Sequence, residues 1–326
     1  MRAAVVRELG PPEAVAVEDR QAPVPAPHEV LARVLAAGVN YADLLMVAGR
    51  YQVKPPLPFV PGLEFCGIVT AVGADVARWQ PGDRVMGAPL AAGCFAEQVA
   101  APERQIFRAP ESLPDELAAQ FLIAHGTAAF AFERARLAPG ETVLVLGAGG
   151  GVGLAAVAVA ARLGARVIAA AGSAEKLEAA RAQGAAALID YRSEPLRPAI
   201  KRLTGGSGAD VVLDTVGGAV FDETLHGVAR FGRVLVVGFA SGAIPRIPAE
   251  YLLIKNITIL GIGFGGVLAT DPEAVERVLE SLLALHAKKP FAAAVGGRYP
   301  LGETATALRR LADRSVVGKQ LILPQA

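Results

Sequence analysis

The sequence predicts an α/β fold: a doubly wound parallel sheet inserted into a mostly β region. Three observations predict it. From about residue 115, strand-length apolar runs alternate with helical stretches. A glycine cluster, "LVLGAGGGVGLAA" (144–156), joins one such run to the helix after it. Ahead of residue 115 the chain is rich in proline and in short β-type runs bounded by Gly and Pro.

The runs "RAAVVREL", "EVLARVLAAGV" and "FCGIVTAVG" read as strands of an irregular, mostly antiparallel region, with Pro81-Gly82 as a turn before "DRVMG". "PDELAAQFLIAHGTAAFAFERARL" (114–137) reads as helical. Strand 142–147 then precedes helix 152–163, and strand 166–171 precedes helix 174–183. "ALID" (187–190), a helix at 195–203, and strands 210–217, 232–238 and 257–262 complete the alternation. Their near-continuous apolar character is that of strands covered on both faces. A helix at 272–286, a strand, a helix at 303–313 and the closing "GKQLILP" return the chain to the first region.

The chain's 326 residues suit two domains. Apolar residues make up 53% and charged residues 19%, enough for a large core and against disorder. The net charge is +1 without a basic stripe, so nucleic acid is not an expected partner. No uncharged apolar run reaches a membrane span; the alanine-rich stretch 154–171 is interrupted by Arg162 and Arg166. The start of the chain lacks the apolar stretch of a signal peptide, and two cysteines, Cys66 and Cys94, build no disulfide framework. A cytoplasmic setting is expected.

The glycine cluster follows the strand that ends at Leu146. Such a turn must bend sharply and let a pyrophosphate approach the backbone, and the following helix N-terminus supplies amide donors and positive potential. The common G-x-G-x-x-G spacing fails, because residue 152 is valine. The spacing that holds is G-x-x-G-x-x-G at Gly147, Gly150 and Gly153, a Rossmann-type turn one residue longer. Gly147, Gly150, Gly151, Val152 and Gly153 are therefore the expected pyrophosphate contacts. An acid holding an adenosine ribose belongs about 20 residues on. Gly172 and Ser173 stand there instead, with Lys176 one turn into the next helix and Tyr191 after the third strand. A hydroxyl, an ammonium and a phenol suit a 2′-phosphate, so NADPH is the expected cofactor. Lys176 also reads as a solvated helix charge and Tyr191 as a strand cap, and Glu175 is a competing ribose ligand.

Taken together, "AGVNYADLLMVAGRY" (37–51), "PFVPGLEFCGIVTAVG" (58–73), "PGDRVMG" (81–87), "LAPGETVLVLGAGGGVGLAAVAVAARLGA" (137–165), "GSAEKLEAARAQGA" (172–185) and "GKQLILP" (318–324) resemble the zinc-free quinone oxidoreductase, zeta-crystallin-like branch of the medium-chain dehydrogenase/reductase superfamily. The resemblance implies a GroES-like catalytic domain from residues 1–123 and 265–326, around a Rossmann NADPH-binding domain at 124–264. It implies an NADPH:quinone oxidoreductase, with reduction of an enoyl or alkenal C=C bond, and a nucleotide-binding protein with a structural or RNA-related role, as competing readings. Neutral charge counts against RNA. Asn40 and Tyr51 would line the nicotinamide and substrate cleft as hydrogen-bond donors to a substrate carbonyl. Each also has a structural reading, Asn40 as the cap of a helix starting at Tyr41 and Tyr51 at a turn. Asp43 would fix local structure.

By position, the resemblance adds Thr127, Val237, Gly238, Phe239, Ile262, Gly263, Phe264 and Lys319 as cofactor contacts. Zinc alcohol dehydrogenases, the sister branch, carry their metal ligands where this chain has Asn40, Leu63 and, nearby, Ile123, so no metal is expected. His28, His125, His226 and His286 show no ligand spacing. A homodimer is implied too, with "NITILGIG" as an edge strand able to extend the sheet across a two-fold axis.

Overall fold

A computed structural model describes residues 1–325. In chain order the elements are β1 (Arg2–Val6), β2 (Val15–Asp19), β3 (Glu29–Val39), α1 (Tyr41–Val47), β4 (Phe65–Val72), β5 (Arg84–Gly87), β6 (Gln98–Pro102), β7 (Ile106–Arg108), α2 (Asp115–Gln120), a π-turn (Phe121–His125) and α3 (Gly126–Ala135). Then come β8 (Thr142–Leu146), α4 (Gly151–Arg162), β9 (Arg166–Ala171), α5 (Ala174–Ala182), β10 (Ala187–Asp190), α6 (Leu196–Leu203), β11 (Ala209–Asp214), α7 (Gly218–Leu225) and β12 (Val228–Val236). The chain ends through α8 (Ala249–Lys255), β13 (Thr258–Gly261), α9 (Phe264–Thr270), α10 (Pro272–Lys288), β14 (Val295–Pro300), α11 (Thr304–Ala312) and β15 (Lys319–Leu323). No helix among the described residues is long and apolar enough to cross a membrane.

The chain divides into two compact units. Among the described residues, one comprises residues 1–123, 265–275 and 293–325. Its main sheet runs β14-β15-β3-β4-β5-β7, with β6 also paired to β3. All these pairings are antiparallel except β14 with β15. The long β3 is its hub, because alternate residues Val30, Ala32, Val34 and Ala36 bury one face while β4, β6 and β15 share its edges.

The other unit comprises residues 124–264 and 276–292. Its six strands are all parallel, in the order β10-β9-β8-β11-β12-β13. Numbered within the unit this is 3-2-1-4-5-6, the doubly wound order whose crevice opens where the strand order reverses, at β8 and β11. β8, β9 and β11 are buried almost throughout, as their valine-, alanine- and leucine-rich runs require when helices cover both faces. α4 is buried continuously from Gly153 to Ala160, and its small side chains let it lie close to the sheet.

Two elements depart from the sequence expectation. The helix expected over 114–137 is interrupted by the π-turn, where the Ile123 N–H donates to Glu64 Oε2 (3.1 Å). The strand expected over 210–217 stops at Asp214. The Asp214 carboxylate turns the chain there by accepting the N–H groups of Val216 (2.8 Å) and Gly217 (3.0 Å). Residues 276–292, grouped by sequence with the first domain, cluster with the second unit. Arg162 holds them, donating to the Lys289 (2.8 Å) and Pro290 (2.6 Å) carbonyls, with its guanidinium over the Phe291 ring.

Candidate functional site

In the parallel-sheet unit the glycine turn sits at the C-terminal ends of β8 and β11. Gly147 adopts φ +69°, which a side chain rarely tolerates. A β-carbon on it would collide with Thr215 Oγ1 and lie 2.9 Å from Val216 Cγ2. Thr215 is fixed there by donating to the Leu146 carbonyl (3.0 Å). Gly150 is the residue before α4, and its N–H closes the turn onto the Gly147 carbonyl (3.1 Å). No atom lies closer than 3.7 Å to a β-carbon built on Gly150, so its outer side is open. Gly151 and Val152 form the half-buried first turn of α4. A β-carbon on Gly153 would run into the Gly147 carbonyl, so this glycine lets helix and turn pack together. An open turn feeding a helix N-terminus fits a pyrophosphate.

Ser173 caps α5, its Oγ accepting the Lys176 N–H (3.4 Å). The Lys176 stem lies across Gly149, where a β-carbon would run into its Cβ and Cγ. Tyr191 and Arg192 close over Gly172, whose β-carbon would lie 3.0 Å from Tyr191 Cε2 and 3.0 Å from Arg192 Nε. Thus Gly172, Ser173, Lys176 and Tyr191 lie on the ends of β9 and β10 and the start of α5. The competing acid, Glu175, is exposed.

Val237, Gly238 and Phe239 follow β12 and are half-buried. The Val237 N–H (2.9 Å) and Gly238 N–H (3.3 Å) both donate to the Asp214 carbonyl. The Ile262 N–H donates to Val236 O (2.9 Å), and Gly263 is exposed with open space around it. Phe264 is buried against Gly126, next to the buried Thr127, and its ring stands 5.6 Å from that of Phe130.

In the other unit, Asn40 precedes α1 and shares a capping box with Asp43. The Asn40 N–H donates to Asp43 Oδ2 (2.7 Å). The Asn40 side chain is occupied: Nδ2 donates to Gly38 O (3.2 Å) and Glu64 Oε1 (3.0 Å), and Oδ1 accepts from Lys319 Nζ (2.5 Å). Lys319 Nζ also pairs with Glu64 Oε1 at 2.6 Å. These groups are 7%, 1% and 4% exposed for Asn40, Glu64 and Lys319. The resemblance makes Lys319 a cofactor contact; in the structure its ammonium is buried between Glu64 and Asn40. Burial pushes the Asp43 carboxyl up to about 7, against the Asn40 N–H and Lys319, which pull it down. Tyr51 is half-buried, and burial and the nearby Asp43 raise its phenol above the ordinary range, so it stays a donor at neutral pH. Its hydroxyl would lie 3.8 Å from a β-carbon on Gly265.

Comparison with known proteins agrees with this architecture. Residues 26–111 match the alcohol dehydrogenase GroES-like domain and residues 151–284 the zinc-binding dehydrogenase family. Quinone oxidoreductase-like protein 2 of Bos taurus is 39% identical over 323 residues, spanning 98% of this chain and 92% of that protein. Human quinone oxidoreductase is 31% identical, over 99% of this chain and 98% of its own. The crystal structure of Escherichia coli quinone oxidoreductase complexed with NADPH has a TM-score of 0.91 and 29% identity, covering 99% of this chain and 100% of that one. This chain belongs to the zinc-free quinone oxidoreductases of the medium-chain dehydrogenase/reductase superfamily.

The zinc in the name of one matching family finds no fit in this quinone oxidoreductase relative. At the three positions singled out by sequence, Leu63 and Ile123 offer no donor atom, and the Asn40 amide already meets a buried ammonium. Among the described residues no group of three or more His, Cys, Asp or Glu could hold a metal ion. Burial pushes the Cys66 thiol up to about 12 and raises Cys94 as well, so neither is a nucleophile at neutral pH.

Sequence reasoning missed four contributors. Asp214 and Thr215 shape the crevice from the end of β11; an acid closing an apolar strand run ahead of Val216-Gly217-Gly218 was the available signal. Arg192 closes over Gly172 beside Tyr191, and its place next to that residue in the chain was the available signal. Glu64, partner of both Asn40 and Lys319, had no local signal.

Proposed function

We propose that the chain is an NADPH:quinone oxidoreductase that works without a metal ion. One observation carries this reading: an open glycine turn at the strand-order reversal, followed at the ribose position by Gly172, Ser173 and the Lys176 stem laid over Gly149 rather than by an acid. The names of the relatives support it, since they include quinone oxidoreductases and one in complex with NADPH.

NADPH, when bound, supplies the hydride. The N–H groups of Gly151, Val152 and Gly153 at the α4 N-terminus hold the pyrophosphate, with Gly147, Gly150 and Gly153 giving it backbone access. Ser173, Lys176 and Tyr191, with Gly172 leaving room, take the 2′-phosphate through hydroxyl, ammonium and phenol. Thr127, Val237, Gly238, Phe239, Ile262, Gly263 and Phe264 orient the nicotinamide end. The Tyr51 phenol donates to the substrate carbonyl as negative charge develops there. With both Nδ2 hydrogens committed, Asn40 acts by holding the protein around that donor rather than by donating to substrate. The enzyme then works by positioning two reactants.

In this reading residues 124–264 form the cofactor-binding domain and the flanking segments the catalytic one. The protein is cytoplasmic and a homodimer. Support for the dimer is β13 at the sheet edge, following α8 with Leu253 79% and Ile254 64% exposed. The test of function is NADPH oxidation against quinones, 2-alkenals and enoyl-CoA esters. Turnover of quinones above the others is expected; turnover of alkenals or enoyl esters alone would replace this reading with C=C reduction.

A further inference from the structure

We propose that Lys319 is a positioning residue for quinone reduction, its buried ammonium fixing the Asn40 amide and through it α1, the helix against whose last turn the Tyr51 backbone is hydrogen-bonded. This rests on the NADPH:quinone reading above.

The geometry leaves the Asn40 amide one arrangement. Nζ sits between Glu64 Oε1 (2.6 Å) and Asn40 Oδ1 (2.5 Å), while Nδ2 faces the Gly38 carbonyl and the same Glu64 oxygen. A flipped amide would set its NH2 against the ammonium and its oxygen against a carboxylate and a carbonyl. Glu64 is itself pinned, Oε2 accepting the Ile123 N–H and its backbone carbonyl accepting the Gly38 N–H (3.2 Å). Gly38 has no room for a side chain: a β-carbon there would lie 2.5 Å from Ala119 O, 2.7 Å from Glu64 Oε1 and 2.9 Å from Lys319 Cε. The pair is thus seated against bare backbone.

The lock reaches Tyr51 through α1. Asn40 and Asp43 form the entrance of that helix, and the Tyr51 N–H (3.1 Å) and Arg50 N–H (2.8 Å) both donate to Leu45 O within it. Lys319, on β15, therefore ties the last strand to the first turn of the helix whose last turn anchors the backbone of Tyr51, four residues past its end. A buried ammonium in a metal-free site supplies a fixed positive charge that needs no loading and is not lost to chelators. Its carboxylate partner keeps the pair neutral, so its effect is on geometry.

The test compares wild type with Lys319→Met and the double variant Lys319→Met/Glu64→Leu, which leaves no lone buried charge should the single variant fail to fold. NADPH affinity is read by fluorescence titration, and kcat and KM with a benzoquinone by absorbance. The expected result is an NADPH Kd within about twofold of wild type and a kcat/KM for quinone lowered about 10–100-fold, the loss expected of a reacting group displaced by about 1 Å. In Lys319→Ala, ethylammonium is expected to restore part of kcat, and ethanol none. Unchanged kcat/KM in a folded variant would overturn the proposal. So would loss of NADPH affinity matching the loss of kcat/KM, which would make Lys319 a nucleotide contact. A wild-type enzyme that reduces no quinone overturns the functional reading and this inference with it, whereas an active wild type beside an unimpaired double variant overturns this inference alone.

Discussion

The stem of Lys176 lies over Gly149, with Cδ 2.8 Å from where a β-carbon on that glycine would stand and Cβ and Cγ closer still. Gly149 therefore has a packing role inside the turn. It is the space that lets a lysine from α5 cross the turn. Lys176→Ala is expected to weaken NADPH about 10–100-fold, the worth of a charge-assisted hydrogen bond, and NADH hardly at all. Gly149→Ala should weaken NADPH in the same direction by displacing the stem. Equal losses for the two nucleotides, measured by fluorescence titration, would remove Lys176 from the 2′-phosphate.

Two glycines of the same motif should fail in different ways. A β-carbon on Gly153 would run into the Gly147 carbonyl and lie 2.8 Å from its carbon, so Gly153→Ala should lower thermal stability, by about 1–3 kcal/mol for an overpacked contact. Gly150→Ala meets nothing closer than 3.7 Å and should melt like wild type, yet bind NADPH more weakly because the methyl group enters the open side of the turn. Calorimetry and titration on both variants separate packing from binding.

Tyr51→Phe removes only the hydroxyl of a half-buried ring. Loss of one hydrogen bond to a developing charge predicts a kcat about 10–100-fold lower with NADPH affinity unchanged. An unchanged kcat would leave Tyr51 as a turn residue.

The Asp43 carboxyl, raised by burial to about 7, links stability to pH. Native protein keeps a proton there that the unfolded chain releases near the ordinary value of about 4. This stabilisation is complete below about pH 4 and is lost as pH rises through about 7, with a slope of up to about 1.4 kcal/mol per pH unit. Asp43→Asn should flatten that fall relative to wild type in denaturant titrations between about pH 5 and 8. Parallel curves for the two proteins would show that Asp43 titrates normally.

If β13 pairs with its copy across a two-fold axis, sedimentation at micromolar concentration should give twice the mass of the chain. Leu253→Glu with Ile254→Glu should shift it toward monomer. A wild-type monomer would contradict the dimer.

The parallel-sheet unit was legible because its signals are local. Apolar runs of β8, β9 and β10, the glycine spacing and the helix starts all lie within a few residues of what they determine. What escaped depends on distant partners. The π-turn in the stretch read as one helix takes its cause from Glu64, outside that stretch. β11 ends early because one side chain, Asp214, folds back on its own chain, which an apolar pattern does not encode. Lys319 pairs with Glu64 and Asn40, hundreds of residues earlier, a partnership that the motif beside the last strand does not encode.

Quinone-dependent oxidation of NADPH by the purified protein after exhaustive chelation, with NADH run in parallel, tests the central claim most directly. The account predicts sustained turnover without added metal and a kcat/KM for NADPH at least about tenfold above that for NADH, as a 2′-phosphate held by Lys176 requires. Turnover that needs added zinc, or that proceeds equally with both nucleotides, would contradict it.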